Sequence, residues 1–146
     1  MHRFFGIIML LSGLMFTSSY GQNSFSWITV SANQSRRLKL DVSTIKQADS
    51  SDIYVWALES FAKPVNIENI TKGIQKIKTY YIMNRELKKY SIIEIVYYGA
   101  GNRRLKDYHY KQSSAAAAFK YNSPILPNTD VEAVFKKCFE YIQIKK

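Results

Sequence analysis

The chain has 146 residues, of which 47% are hydrophobic, 22% charged and 14% aromatic. That balance belongs to one folded domain and excludes a disordered or collagen-like chain. A formal net charge of +10, from 21 Lys and Arg against 11 Asp and Glu, points either to an acidic partner or to a solvated basic surface.

Residues 1–21 read as an export signal. Arg3 opens the segment, Phe4 to Phe16 is an apolar run of 13 residues, and Ser19 and Gly21 place small side chains before a cut ahead of Gln22. Thirteen residues of helix reach about 20 Å, short of a bilayer core of about 30 Å. The expectation is an exported protein, periplasmic, on the cell surface or secreted, and not an integral membrane protein. Cys138 is the only cysteine, so no lipidation site follows the apolar run. Loss of Arg3 leaves 20 basic residues against 11 acidic ones in a single expected domain, residues 22–146.

Residues 25–31 alternate Phe25, Trp27 and Thr29 with Ile28 and Val30. Residues 37–42 put Leu38, Leu40 and Val42 on one face and Arg37, Lys39 and Asp41 on the other, the pattern of a half-buried strand. Asn33-Gln34-Ser35 joins the two as a hairpin. After a polar turn at Ala48–Asp52, Ile53–Leu58 is rich in strand formers. Pro64, Asn66, Asn69 and Gly73 mark 61–73 as a loop with room for a short helical turn.

Residues 74–98 suit one long helix by composition. Their alternation argues otherwise: Ile74, Lys76, Lys78, Tyr80 and Ile82 interleave with Gln75, Ile77, Thr79, Tyr81 and Met83. Two strands joined near Asn84–Glu86 are expected. Gly99-Ala100-Gly101-Asn102 is a turn, 103–110 a last strand, and a polar, Ala-rich loop follows. Thr129-Asp130-Val131-Glu132 has the form of a capping box, in which Thr129 accepts from the Glu132 N–H and Glu132 reaches back to the Thr129 N–H. Val131, Val134, Phe135, Cys138 and Ile142 then share one helical face, with Glu132, Lys136, Lys137 and Glu140 opposite. The expected fold is α+β: an antiparallel sheet of about five or six strands with one C-terminal amphipathic helix packed on it.

Beyond residue 21 the chain holds one histidine, His109, and one cysteine, Cys138. A zinc site of the usual Cys/His kind needs three or four ligands. No nucleophile elbow, P-loop, dinucleotide fingerprint or H-E-x-x-H motif occurs. Cys138 falls in the apolar stripe of its helix, where an inert buried thiol is expected. No catalytic residue, cofactor or metal is expected, and the chain does not read as an enzyme.

The basic residues cluster in 72–89 and 103–111, interleaved with tyrosines. The expected binding surface is Lys76, Lys78, Tyr80, Arg85, Lys88, Lys89, Tyr90, Arg103, Arg104, Lys106 and Tyr108, gathered as one stripe on neighbouring antiparallel strands. Such a stripe attracts polyanions; lysines on edge strands also guard a sheet against aggregation. An export signal argues against nucleic acid as the partner.

The chain beyond the signal resembles the surface-adhesin protein E family of secreted bacterial proteins. The resemblance covers most of 25–142. It is carried by Trp27-Ile28-x-Val30, by Leu40-Asp41-x-Ser43-Thr44-Ile45 followed by Val55-Trp56, by the basic, Tyr-rich segments at 76–98, by the Gly99–Gly101 turn, and by Pro127-Asn128-Thr129 leading into a helix with Cys138. It implies a small sheet-based domain with a C-terminal helix that binds host extracellular-matrix or plasma proteins. It also implies a second cysteine within Tyr81-Ile82-Met83-Asn84-Arg85, paired with the one matching Cys138; this chain has none there. An alternative is an envelope-associated subunit whose partner is another bacterial protein or a second copy in a homodimer, joined through a free edge strand or through Cys138.

Overall fold

The computed structural model describes residues 26–47, 51–67, 69–111 and 120–144. The expected export signal and the expected Ala-rich loop fall outside these residues. The fold is α+β, as expected. Strands β1 (Trp27–Ala32), β2 (Arg36–Gln47), β3 (Asp52–Ile67), β4 (Ile70–Asn84), β5 (Lys89–Tyr98) and β6 (Arg104–His109) form an antiparallel meander in sequence order. A two-residue strand, β7 (Ser123–Pro124), pairs with the start of β5, and helix α1 (Asp130–Ile144) closes the chain. The sheet is not closed into a barrel.

Alternation decides which face of the sheet meets the helix. Leu38, Leu40, Val42, Ile53, Val55, Ala57 and Met83 meet Val134, Phe135 and Cys138 of α1 in one buried cluster. Each large apolar side chain removed from water there contributes roughly 1.5–3 kcal/mol. Met83 lies in the stretch where the family resemblance implies a second cysteine, and it shares this buried cluster with Cys138. Apolar contact holds the helix on the sheet. Arg36 adds a polar clamp: Nη1 and Nη2 donate to the two Asp130 oxygens at 2.6 and 2.9 Å, and Nη1 also reaches Glu59 at 2.8 Å.

Beyond the helix, a second cluster forms from Ile70, Ile74 and Tyr97, with Phe61, Val65, Ile77, Ile95, Leu105 and Tyr108 packed around it. It exists because the segment expected to be a loop, 61–73, is a long hairpin instead. β3 runs to Ile67 and β4 starts at Ile70. The residues that suggested a loop sit where pairing lapses. Pairing of β3 with β4 skips from Ser60 to Val65, and Pro64, which has no N–H to offer, lies in that gap. Gly73 passes so close to Pro64 that a Cβ on it would stand 2.7 Å from the Pro64 Cβ. Asn69 turns the tip with φ 69°.

The two strands expected within 74–98 are present, joined by the turn after Asn84. The Asn84 Oδ1 accepts from the N–H groups of Glu86 and Leu87 at 3.1 and 2.8 Å. The capping box differs in one half. Thr129 Oγ1 accepts from the Glu132 N–H at 3.2 Å, but the Glu132 carboxylate accepts from Asn128 at 2.9 Å, not from Thr129. Asn128 has φ 59°, and in that left-handed turn its own N–H faces the carboxylate.

Residues 120–122 tie the chain back to the sheet. Asp52 is buried and accepts from Lys120 Nζ at 2.6 Å, from Asn84 at 2.7 Å and from the Tyr121 hydroxyl. Burial works to raise the Asp52 pKa, but the hydrogen bonds from Lys120, Tyr121 and Asn84 outweigh it and hold the carboxyl below its ordinary value. A depressed folded-state pKa stabilises the fold above the unfolded value of about 3.9 and is lost as pH falls through the folded value. Unfolding free energy is therefore expected to drop below about pH 4. Asp52→Asn should cost about 1.5–3 kcal/mol at neutral pH and flatten that acid limb, read by urea unfolding across the pH range.

Burial pushes the Cys138 thiol up to about 12. A thiol reagent near neutral pH should leave Cys138 unmodified in the folded protein and label it fully in denaturant. Rapid labelling without denaturant would show that the helix does not stay seated.

Candidate functional site

Residues directly opposite one another in antiparallel strands share a face, so the register maps the side of the sheet away from α1. One cross-strand row reads Arg37, Ser60, Lys76, Tyr98 and Arg104 from β2 to β6. The next reads Lys39, Leu58, Lys78, Val96 and Asp107. The third reads Trp27, Asp41, Trp56, Tyr80, Glu94 and His109, and includes β1. Strands lie about 4.8 Å apart, so the basic side chains of the first two rows form a band about 20 Å long.

The band is not uniform. At the β6 end, Arg104 pairs with Asp107 at 3.0 Å and approaches Glu94 at 4.0 Å. His109 sits between the same two acids, at 3.0 Å from Asp107 and 3.6 Å from Glu94. Charge there is balanced within the protein. At the β2 end, no carboxylate among the described residues pairs with Arg37, Lys39 or Lys76. Lys76 instead donates to Asn102 Oδ1 at 2.6 Å.

Lys78 is taken up by packing. Its Nζ lies 4.4 Å from the Trp56 ring centre and 5.9 Å from that of Trp27. Tyr80 stacks on Trp56 at 4.8 Å with 20° between planes, and Tyr54 follows at 6.2 Å. Burial lowers the Lys78 pKa, against the opposing pull of Asp41 and Glu94. Asp41 lies between Trp27 and Trp56 and is fully buried. One of its oxygens accepts from the Ser26 and Ser43 N–H groups and the Ser43 hydroxyl; the other, Oδ2, has no partner.

The other residues of the expected surface scatter. Arg85 and Lys88 sit in the β4–β5 turn and lie over Phe139 and Phe135 of the helix, at 5.8 and 4.7 Å from the ring centres. Lys89 is exposed at the pairing with β7. Tyr90 packs edge-on against Tyr81 beside the main core, on the helix side. Lys106 stands over Tyr108, which in turn meets Tyr97 edge-on in the second cluster. Arg103 is exposed after the turn Ala100–Asn102. The expected single stripe is therefore divided between two faces and two ends of the sheet. Lys76, Lys78, Tyr80 and Arg104 come together; Arg85, Lys88, Lys89, Tyr90, Lys106 and Tyr108 do not join them.

Arg37 and Lys39 belong to the band although the tyrosine-rich segments did not single them out. The signal that finds them is the alternation of residues 37–42, which sets them opposite Leu38 and Leu40.

The β2 end of the band opens into two adjoining hollows. One, of about 260 Å³, is lined by Asn33, Gln34, Arg36, Arg37, Lys39, Ser60, Phe61 and Ala62. The other, of about 470 Å³, shares Gln34, Arg36, Phe61 and Ala62 and continues to Ser35, Lys63, Pro64 and Val65. Neither lining contains a carboxylate. Among the described residues, no three His, Cys, Asp or Glu side chains gather as a metal site, and no helix is long and apolar enough to cross a membrane.

The fold and band define an antiparallel α+β meander with a polarised basic face. No family model, curated protein or solved structure matches the chain.

Lys78→Ala should uncover the two indole rings that the lysine lies over. The expected result is a loss of about 1–2 kcal/mol with a red shift of tryptophan emission. Arg104→Ala, an exposed ion-pair partner, should stay within about 0.5 kcal/mol of the parent.

Proposed function

We propose that this chain is an exported, non-enzymatic binding domain that takes an acidic partner at the β2 end of the face away from the helix. The partner class is a host matrix or plasma protein or an acidic polymer, in keeping with the resemblance to the surface-adhesin protein E family. The observation that carries this reading is the alignment of Arg37, Lys39 and Lys76 on one face with no carboxylate paired to them among the described residues. Unneutralised cations on a rigid sheet steer an acidic partner and give salt-sensitive affinity. The two groups that an enzyme would recruit do not support catalysis. His109 is 63% exposed between two acids, and the Cys138 thiol is buried in the core.

A second reading rests on β1. Its sequence, WITVSA, carries no charge, and its outer edge has no partner strand among the described residues. Charged residues ordinarily guard such an edge. That suits strand addition by a bacterial envelope protein, and native mass measured with and without envelope extract separates it from the first reading.

The test of the first reading uses the purified protein on immobilised matrix proteins and sulfated glycans at low and physiological salt. The triple variant Arg37→Glu, Lys39→Glu, Lys76→Glu should weaken binding about tenfold or more and flatten its salt dependence. Arg85→Glu with Lys89→Glu, at the other end of the sheet, should change it little. Equal loss in both variants would make the interaction a response to net charge and overturn the surface assignment.

A further inference from the structure

The two hollows beside Phe61 say more about the partner than the cationic band does. They arise from the backbone. β3 leaves its ladder with β4 after Ser60 and regains it at Val65, with Pro64 pressed against Gly73. On the other side the Ala62 N–H donates to the Ser35 carbonyl at 2.8 Å, which fixes the β1–β2 turn against β3. The space between them is held by hydrogen bonds and a proline, so it is largely pre-formed.

The linings differ in chemistry. The larger hollow, about 470 Å³, presents Phe61, Ala62, Pro64 and Val65, with Lys63 at its margin. That volume lies in the range of sites that take a compact organic group, roughly 300–1,000 Å³. The smaller hollow presents Arg37 and Lys39. Arg36 forms a wall common to both, and its guanidinium is already held by Asp130 and Glu59. Lys63, Arg37 and Lys39 have no acidic partner among the described residues. An apolar hollow beside unpaired cations is complementary to an apolar side chain with acids on either side. A sulfated glycan or polyphosphate meets the cations but has no apolar group for the hollow, which would stay wet.

We propose that the acidic partner is a peptide segment, in which one apolar side chain enters the hollow beside Phe61, Pro64 and Val65 and flanking Asp or Glu residues meet Lys63, Arg37 and Lys39. This rests on the acidic-partner reading above and narrows it to a protein ligand. The anchor supplies affinity through burial, and the flanking acids set register and approach.

The test is fluorescence anisotropy of the purified protein with three probes. They are a labelled peptide of about 12 residues with one Phe among Asp and Glu, the same peptide with Ser for Phe, and a sulfated oligosaccharide. The Phe peptide should bind about tenfold more tightly than the Ser peptide. Ala62→Trp, which fills the hollow from an exposed position, should erase that difference while leaving the Ser peptide unchanged. Equal binding by the two peptides overturns the proposal. Tight binding of the oligosaccharide with neither peptide bound also overturns it, yet leaves the acidic-partner reading intact. Binding of no probe, or binding that Arg37→Glu with Lys39→Glu does not weaken, overturns both. The peptide exchange needs no protein variant, so the result does not depend on how well Ala62→Trp folds.

Discussion

One helix must cover a sheet that is too large for it. α1 has 15 residues and is about 22 Å long. The meander is six strands wide, about 24 Å, and its longest strand has 16 residues, an extent of about 50 Å. The helix therefore covers only part of one face. Every other part of the sheet has to find its own shielding, and much of the molecule is a set of local answers to that shortage. At the hairpin end of β3 and β4, Tyr97 and Tyr108 close over Ile74 and Ile77. On the reverse side, Lys120, Tyr121 and Asn122 bond to Asp52 and Ser91. Farther along that side, Trp56, Tyr80 and Tyr54 shield each other in a ladder, and Lys78 spans Trp56 and Trp27.

The same shortage explains why a count of lysines misleads. A lysine stem is four methylenes, and where apolar surface is bare it lies down on it. Lys78 does so on Trp56, Lys88 on Phe135 and Lys106 on Tyr108. These cations are part of the covering of the sheet. Their charge remains, but their position is set by the ring beneath, and a partner would have to displace them. Arg37, whose cross-strand neighbours Ala32 and Ser60 are small, is a cation that stands clear.

How much of this was legible depends on range. The alternation of 37–42 and 74–83 shows strands and their faces, because it needs only neighbours two residues apart. The helix is equally local, and Val134, Phe135 and Cys138 are buried as its periodicity required. The hairpin 61–73 was hidden because Pro64 and Gly73 are strand breakers in isolation, and only their contact with each other lets both strands continue. The basic surface was hidden for a different reason. Whether Lys76 shares a face with Tyr90 or with Lys106 depends on the register of three strands and on two irregularities, between Tyr80 and Tyr81 and between Tyr97 and Tyr98. Each irregularity shifts the pairing by one residue, and a one-residue shift exchanges the faces.

Placement of the few acids completes the argument. With 11 acids against 21 bases, self-repulsion is unavoidable and the acids cannot be spread evenly. Glu59 and Asp130 are used on Arg36, where the helix meets the sheet. Asp52 is used on Lys120, and Glu94 and Asp107 on Arg104 and His109. Each of these joins two elements of the fold or steadies an edge strand. Among the cations they leave uncompensated, Arg37, Lys39 and Lys63 lie at one end of the sheet, around the hollows that the β3 irregularity opens. Two separate demands, holding a narrow helix on a broad sheet and passing a proline through a strand, thus leave charge and cavity at the same place. A surface with excess charge and a pre-formed apolar recess costs stability unless something fills it, and that is the physical ground for reading this end of the sheet as the binding end.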